Sequence, residues 1–254
     1  MIMGIRTNIL FSKCLFIFCL FIFQACGLDT FYSLEPPVNI IHKPLYNTAD
    51  HTQMYFDFYT NDTANKALTG FNYLGTAVYY RIYNNYQTML SRNASIDAVN
   101  NSSNYNTAAE RLIAYGYKEL NTSEGSVSPL VAPSSSNSRH VEIRLTDNNA
   151  INASNPDAAF IPYIKVDGST NGFGKPRREE GNYKFDFGRT SKDSACPKPD
   201  SSDADFENGS FSEENKYYVD MYAVAVGRDT TYTTYYSNVL HLGAVPIDAS
   251  SEQN

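Results

Sequence analysis

Apolar and polar positions alternate with a period of two in short segments along most of the chain. Met54, Phe56 and Phe58 form one such series, and Val141 and Ile143 belong to another. Because successive side chains of a β-strand point to opposite faces of the sheet, each segment predicts a strand with one apolar face. The predicted strands cover residues 38–41, 54–59, 76–83, 141–145, 161–166, 183–187, 217–226 and 236–242. About eight strands separated by turn residues are typical of a β-sandwich.

The first predicted strand has proline on both sides. Pro36 and Pro37 precede residues 38–41, and Pro44 follows them. Since proline cannot donate to a central hydrogen-bond ladder, we expect this strand at the edge of a sheet.

Residues 85–139 interrupt the two-residue period and predict a helical insertion between the third and fourth strands. Thr107 and Glu110 have the spacing of a capping box. Apolar positions around them recur at helical intervals, which predicts one helix or two packed against the sandwich edge: Tyr105, Ala109, Leu112, Ile113 and Leu120. Residues 121–138 and 190–215 predict loops, and the tail 248–254 is expected to be disordered.

The first 25 residues have the order of a secretory signal. Arg6 and Lys13 supply a basic head, residues 15–23 are almost entirely apolar, and the small residue Ala25 precedes Cys26. The alternative is a membrane-spanning anchor, which needs roughly 20 apolar residues. Ser12 and Lys13 interrupt the apolar run well short of that length. We therefore expect residues 1–25 to be removed as a signal peptide.

The tetrapeptide Phe23-Gln24-Ala25-Cys26 resembles a bacterial lipobox, in the relaxed form found in spirochaete lipoproteins. The resemblance implies that Cys26 becomes an acylated amino terminus, with residues 26–34 as lipidated start and tether. Each buried CH₂ contributes about 0.8 kcal/mol, so two or three acyl chains anchor a protein stably to the lipid bilayer. Gly27 follows the cysteine where an aspartate would retain a lipoprotein in the inner membrane, which favours the outer membrane or cell surface.

Composition narrows the possible partners and cross-links. The chain carries a net charge of −7, which argues against nucleic acid as a partner. We expect Cys14 and Cys19 to leave with the signal and Cys26 to be blocked by lipid, so no intrachain disulfide is expected in the mature chain, where Cys196 remains as a thiol. The 20 tyrosines and 15 phenylalanines, with no tryptophan, favour strands over helices.

The carboxyl-terminal third carries a family signal. The segment from Phe211 to Tyr217, followed by Val219, Met221 and Ala223, resembles the tyrosine corner of fibronectin type III domains. The resemblance implies a mainly β fold of the fibronectin type III or immunoglobulin-like kind. It also implies that Tyr217 is the corner tyrosine, with its ring in the core and its hydroxyl bonded to the backbone upstream.

The length of the chain departs from that family. Residues 35–247 far exceed the roughly 100 residues of such a domain. We expect one elaborated sandwich with its insertion at 85–139, and two small sandwiches in tandem are the alternative.

A tyrosine-rich loop precedes the last predicted strand. Tyr232, Tyr235 and Tyr236 offer large amphipathic surfaces, and the corresponding loop of related sandwiches commonly contacts ligands. These tyrosines are therefore predicted to bind a protein or a glycan. The alternative is that they are ordinary strand residues.

Two acidic patterns carry chemistry in other proteins. Asp203, Asp205, Glu207 and Glu214 mimic the spacing of a calcium loop, but Asn208 stands where glycine is needed. A solvated acidic loop without metal is favoured.

Asp57 and Asp186 each lie between two phenylalanines and could pair as the carboxylates of a glycoside hydrolase. Strand alternation favours instead that both face water.

No catalytic motif is recognisable. The four histidines, His42, His51, His140 and His241, are scattered without the spacing of metal ligands, and no nucleophile or cofactor motif accompanies them. We therefore expect a non-enzymatic lipoprotein of the cell envelope whose sandwich presents loops to a protein or glycan. The alternatives are an envelope polysaccharide hydrolase and a structural subunit of an envelope assembly.

Overall fold

The computed structural model describes residues 32–101, 104–125, 128–135, 137–146, 161–188 and 196–249. The described residues from Ser33 onward belong to one compact unit. Its strands are β1 (Val38–His42), β2 (Phe56–Tyr59), β3 (Phe71–Tyr83), β4 (Lys118–Glu119), β5 (Asn121–Thr122), β6 (His140–Arg144), β7 (Tyr163–Val166), β8 (Pro176–Arg177), β9 (Phe206–Glu207), β10 (Lys216–Asp229) and β11 (Thr234–Asp248). Its α-helices are α1 (Asp62–Asn65), α2 (Tyr86–Asp97) and α3 (Tyr105–Ala114). The fold is mainly β, as the alternation predicts.

Most of the strands form two sheets. The first sheet has the order β1-β2-β6-β7 and is antiparallel throughout. Strand β1 lies at its edge, as the flanking prolines predict. The second sheet has the order β11-β10-β3-β4, with β9 added in parallel to β3. Strands β5 and β8 pair with each other as a small separate ladder.

The two sheets share a core. Phe56 and Phe58 of β2 are fully buried, and so are Val219 and Met221 of β10. These are the apolar positions of the alternating series, so the inward faces are those that the sequence predicts. The two sheets therefore form a sandwich.

The second sheet is also buried on its other face. Helices α2 and α3 cover it, with Met89 and Leu112 packed in one cluster with Tyr218 and Tyr222 of β10. Both sets of alternate residues in β10 are thus buried. This explains why residues 217–226 are almost continuously apolar, as in strands covered on both faces.

The helices differ in detail from the sequence prediction. Helix α3 begins at Tyr105, so Thr107 lies inside the first turn and does not cap it. Ile113 is 45% exposed, and Leu120 lies beyond the helix in the core between the sheets. Helix α2 begins after Asn85, whose side-chain oxygen accepts from the Thr88 amide at 3.0 Å.

Other boundaries also change. Residues 183–187 form no strand, although Phe185 and Phe187 are fully buried. The predicted loop 190–215 contains β9, and the predicted loop 121–138 contains β5. The predicted tail begins too early, because β11 continues to Asp248 and the Ala249 amide donates to the Asn215 carbonyl at 2.9 Å. Residues 250–254 lie outside the described residues.

Strand β11 forms one edge of the second sheet, and side chains cap its outer backbone groups. The amide side chain of Asn100 accepts from Val239 N at 2.8 Å and donates to Val239 O at 2.9 Å. Asn106 Oδ1 accepts from Tyr236 N at 2.8 Å. These two asparagines thus supply hydrogen bonds that a neighbouring strand would otherwise make.

Candidate functional site

The predicted lipidation site, Cys26, lies outside the described residues. The chain enters the domain at Leu34, whose side chain is fully buried. Asn65 holds the next residue, because its Oδ1 accepts from Glu35 N at 2.7 Å and its Nδ2 donates to Glu35 O at 2.9 Å. Asn61 Nδ2 donates to Pro36 O at 3.2 Å. The point at which the chain joins the domain is therefore fixed.

The turn between β10 and β11 is the tip of a long hairpin and is organised by one carboxylate. Asp229 accepts from Thr231 N at 2.8 Å, Thr231 Oγ1 at 2.8 Å and Thr233 N at 2.9 Å. It also accepts from the Tyr235 hydroxyl at 3.2 Å. Partial burial raises the pKa of Asp229, but these hydrogen bonds outweigh it and hold the pKa below its usual value.

The three predicted ligand-binding tyrosines have different surroundings. Tyr232 is 82% exposed at the tip, with a φ of 66°. The Tyr235 ring packs edge-on against Phe71, with 5.7 Å between ring centroids. Tyr236 is half-buried against the helix-side cluster. Of the three, Tyr232 has the ring most available to another molecule.

An open pocket of about 550 Å³ adjoins the tip. Phe71, Asn72, Arg228 and Tyr232 are among its lining residues. Phe71 lies against Gly227, where an added Cβ would stand 2.1 Å from the ring. The pocket thus combines aromatic surface with the guanidinium of Arg228, the carboxylate of Asp229 and the amide of Asn72.

Tyr217 lies where the resemblance implies, but without the implied hydrogen bond. Its ring is buried between Phe187 at 5.3 Å and Phe211 at 5.5 Å, measured between centroids. Among the described residues, its hydroxyl makes no hydrogen bond to the upstream backbone. The assignment as a corner tyrosine therefore lacks its characteristic contact.

A buried polar network on the helix side of β10 was missed in the sequence. Asp220 is fully buried. It accepts from the Tyr117 hydroxyl at 2.6 Å, from His241 Nε2 at 2.7 Å and from Asn93 Nδ2 at 3.3 Å. The available signal was Asp220 itself, the one charged residue within the apolar run 217–226.

The geometry of this network engages both nitrogens of His241. Its Nε2 faces Asp220, and Lys43 Nζ lies 3.0 Å from its Nδ1. An ammonium group can only donate, so Lys43 is the donor in this contact and Nδ1 is the acceptor. Each ring nitrogen of His241 therefore has a partner within the domain.

Burial raises the pKa values of the tyrosines around Asp220. The pKa of Tyr117 lies well above its usual value because of burial first and the Asp220 charge second. The pKa of Tyr222, which stacks on His241 at 4.5 Å between centroids, is raised for the same two reasons. Both hydroxyls therefore remain protonated and cannot serve as bases near neutral pH.

The acidic pattern is not the solvated loop that the sequence favoured. Asp205 is fully buried and accepts from Arg178 Nε at 2.9 Å and Nη2 at 2.6 Å. Asp203 accepts from the same Nη2 at 2.6 Å, and the Tyr80 hydroxyl donates to Asp205 at 2.5 Å. Glu207 binds other guanidinium groups. The sequence pattern missed these partners because Arg178 lies in a distant loop.

Asp57 and Asp186 do not face water, contrary to the prediction from strand alternation. They are 6% and 5% exposed. Asp57 Oδ1 lies 2.6 Å from His140 Nε2, and the His140 ring stacks on Tyr59 at 4.8 Å. Side chains of neighbouring strands thus cover Asp57 on the outer face of the first sheet.

The described residues contain no cluster of three or more histidine, cysteine, aspartate or glutamate side chains able to hold a metal ion. Within the same residues, each helix is too short or too polar to cross a bilayer. Comparison of the chain with protein-family models, curated proteins and solved structures gives no match.

Proposed function

We propose that the chain is an exported lipoprotein, acylated at Cys26 and anchored to the outer membrane or cell surface. In this proposal it acts without catalysis, by presenting its domain to a protein or glycan of the envelope. The observation that carries the proposal is the order of basic head, apolar run and Phe23-Gln24-Ala25-Cys26 at the amino terminus. A fixed entry of the chain at Leu34 and Glu35 is consistent with a domain held on a short tether.

The finer fold proposal is a sandwich of the fibronectin type III or immunoglobulin-like kind. The order β11-β10-β3-β4 matches the order G-F-C-C′ of immunoglobulin-type sheets. The other sheet of that family has the order A-B-E-D, so strand E lies beside strand B and the earlier strand D lies at the edge. Here β6 lies beside β2 and the later strand, β7, is at the edge. The likeness is therefore supported by one sheet, with helices α2 and α3 inserted after β3.

A binding role is supported by the internal partners of the buried polar side chains. Asp220 and His241 satisfy each other inside the domain, and Asp205 is held by Arg178. Asp57 is covered by His140. These groups have the chemistry of acids and bases, but their partners are internal, which favours structural roles for them.

Lipid labelling of Cys26→Ala tests the proposal. Cells grown with an alkyne-bearing palmitate should label the parent chain, and the substitution should abolish labelling because it removes the acyl acceptor. Cys196→Ala is the matched control, since that thiol belongs to a buried cysteine and should not affect labelling. Mass spectrometry of the parent chain should show loss of residues 1–25 and added acyl mass.

Retained labelling of Cys26→Ala, or an unprocessed amino terminus in the parent chain, would refute the anchor. Protease treatment of intact cells then separates the two locations. Digestion of the acylated protein indicates the cell surface, and protection indicates an inward-facing leaflet.

A further inference from the structure

The amino-terminal entry and the hairpin tip lie at the same end of the domain. Leu34 packs in one small cluster with Tyr73 of β3 and Ala225 of β10, and Phe71 and Tyr235 pack against that cluster. Phe71 pairs with Asp229, the last residue of β10 before the tip. A tether that ends at Leu34 therefore leaves the domain beside the tip.

The length of the tether limits the orientations of the domain. Fully extended, the chain from Cys26 to Leu34 spans at most about 28 Å. Leu34 packs at the level of Ala225, nine residues from Lys216 along β10, so it lies about 30 Å from the opposite end of the strand. An orientation with the tip pointing directly away from the membrane and the opposite end on the bilayer would therefore require a fully stretched tether. A relaxed tether of eight residues averages roughly 16 Å, which favours orientations that keep the tip end near the membrane.

The side chains at the tip suit the interface between water and lipid. Tyr232 projects a ring that is 82% exposed, and tyrosine places an apolar body and a polar hydroxyl at headgroup depth. Thr230, Thr231 and Thr233 around it are exposed but uncharged. The tip therefore offers little charge that would have to be desolvated on contact.

The surface charges nearest the tip offset each other, and the buried Asp62 adds one negative charge at this end. Lys66 and Arg228 are exposed here, and they offset the exposed Glu35 and the half-buried Asp229. The Asp229 carboxylate is also bound by donors of the tip itself. An anionic bilayer would thus repel this end less than it repels an average part of a chain with a net charge of −7.

We propose that the β10–β11 tip, led by Tyr232, rests on the phospholipid headgroups of the membrane in which Cys26 is anchored. The inference depends on the proposed acylation. It assigns Tyr232 to contact with lipid instead of a protein or glycan ligand, and it directs the opposite end of the sandwich outward.

The absence of tryptophan from the chain allows a direct test. Tyr232→Trp introduces a single tryptophan at the tip. Phe211→Trp introduces one near Tyr217, close to the opposite end, where Phe211 is 46% exposed. Both variants are purified as acylated proteins and reconstituted into phosphatidylethanolamine and phosphatidylglycerol vesicles, with or without dibrominated acyl chains. The molecular mass of each protein in the same samples is measured by mass spectrometry to establish acylation.

The brominated lipid should weaken the emission of the Tyr232→Trp variant by about twofold or more and leave the Phe211→Trp variant nearly unchanged. Acylated protein with no quenching at position 232, or with stronger quenching at position 211, would overturn the proposed contact of the tip with lipid. The proposed lipoprotein function would not be affected by that result. A lack of acyl mass overturns the proposed function together with that contact. Emission at position 232 that responds to solubilised peptidoglycan fragments and not to brominated lipid would assign the tip to a glycan and overturn the lipid contact.

Discussion

Two fully buried aspartates lie on opposite sides of the second sheet, and they are stabilised in different ways. Asp205 faces the core between the sheets and is bound by Arg178, whose side chain is also fully buried. Asp220 faces the helices and is bound by Tyr117, His241 and Asn93. One site neutralises its carboxylate with a permanent cation, and the other spreads the charge over several hydrogen bonds.

The two sites differ in how far the stabilisation of the aspartate depends on a single partner. Burial lowers the pKa of Arg178, but the carboxylates of Asp205 and Asp203 outweigh it and raise the pKa above its usual value. The guanidinium is therefore always charged, and its removal would leave an uncompensated buried anion. At Asp220 the loss of one donor leaves the others in place.

The largest effect is expected from Arg178→Met. The variant should lose about 3 to 5 kcal/mol of unfolding free energy, because Asp205 would remain buried without its cation. Urea denaturation measures the loss, with Arg177→Met as the adjacent control. Adding Asp205→Leu to Arg178→Met should recover much of the stability. If Arg178→Met behaved like the control, the ion pair would not be the main support of Asp205.

A smaller effect is expected from Tyr117→Phe on the helix side. The substitution removes one donor from Asp220, and it should cost about 1.5 to 3 kcal/mol because that bond is made to a charged group. Tyr115→Phe is the control, since Tyr115 bonds Ser95 near the surface and the loss of that bond should cost clearly less. Equal losses in the two variants would mean that the buried network is no stronger than a surface contact.

The smallest effect is expected from Tyr217→Phe. The hydroxyls of Tyr80 and Tyr117 donate to the buried aspartates, whereas that of Tyr217 makes no hydrogen bond among the described residues. Its removal should therefore change the unfolding free energy by no more than about 0.5 kcal/mol. A thermal unfolding curve that reports a loss of about 1 to 3 kcal/mol would instead restore the tyrosine-corner hydrogen bond that the family resemblance implies.

The sheets could be predicted from sequence because burial of one strand face leaves a local pattern. The inward positions of β2, β6 and β10 are those of the alternating series. The helices that cover the second sheet left only indirect signals in the sequence. These were an insertion predicted to hold one helix or two, and an almost continuous apolar run in β10. Such a run does not specify what packs on each face.

The polar clusters could not be predicted because their partners are brought together by strand register and by loops. Asp220 meets His241 across β10 and β11, whose pairing shifts between Met221 and Tyr222. A register shift of one residue changes which side chains share a face, and it leaves no mark in the spacing of polar residues. Arg178 reaches Asp205 from a separate loop. The prediction of a solvated acidic loop was therefore wrong in its surroundings, because Asp205 is buried and Glu207 lies in β9.

Asn100 and Asn106 have a consequence for the lipoprotein proposed above, whose copies would share one membrane. Strand β11 runs for 15 residues along the sheet edge, and an uncapped strand of that length is a template on which an identical chain could polymerise. Anchoring in two dimensions would raise the frequency of such encounters. The amide of Asn100 ends the hydrogen-bond ladder at Val239, and that of Asn106 does so at Tyr236. The two side chains thus disfavour the growth of a fibre from this sheet edge.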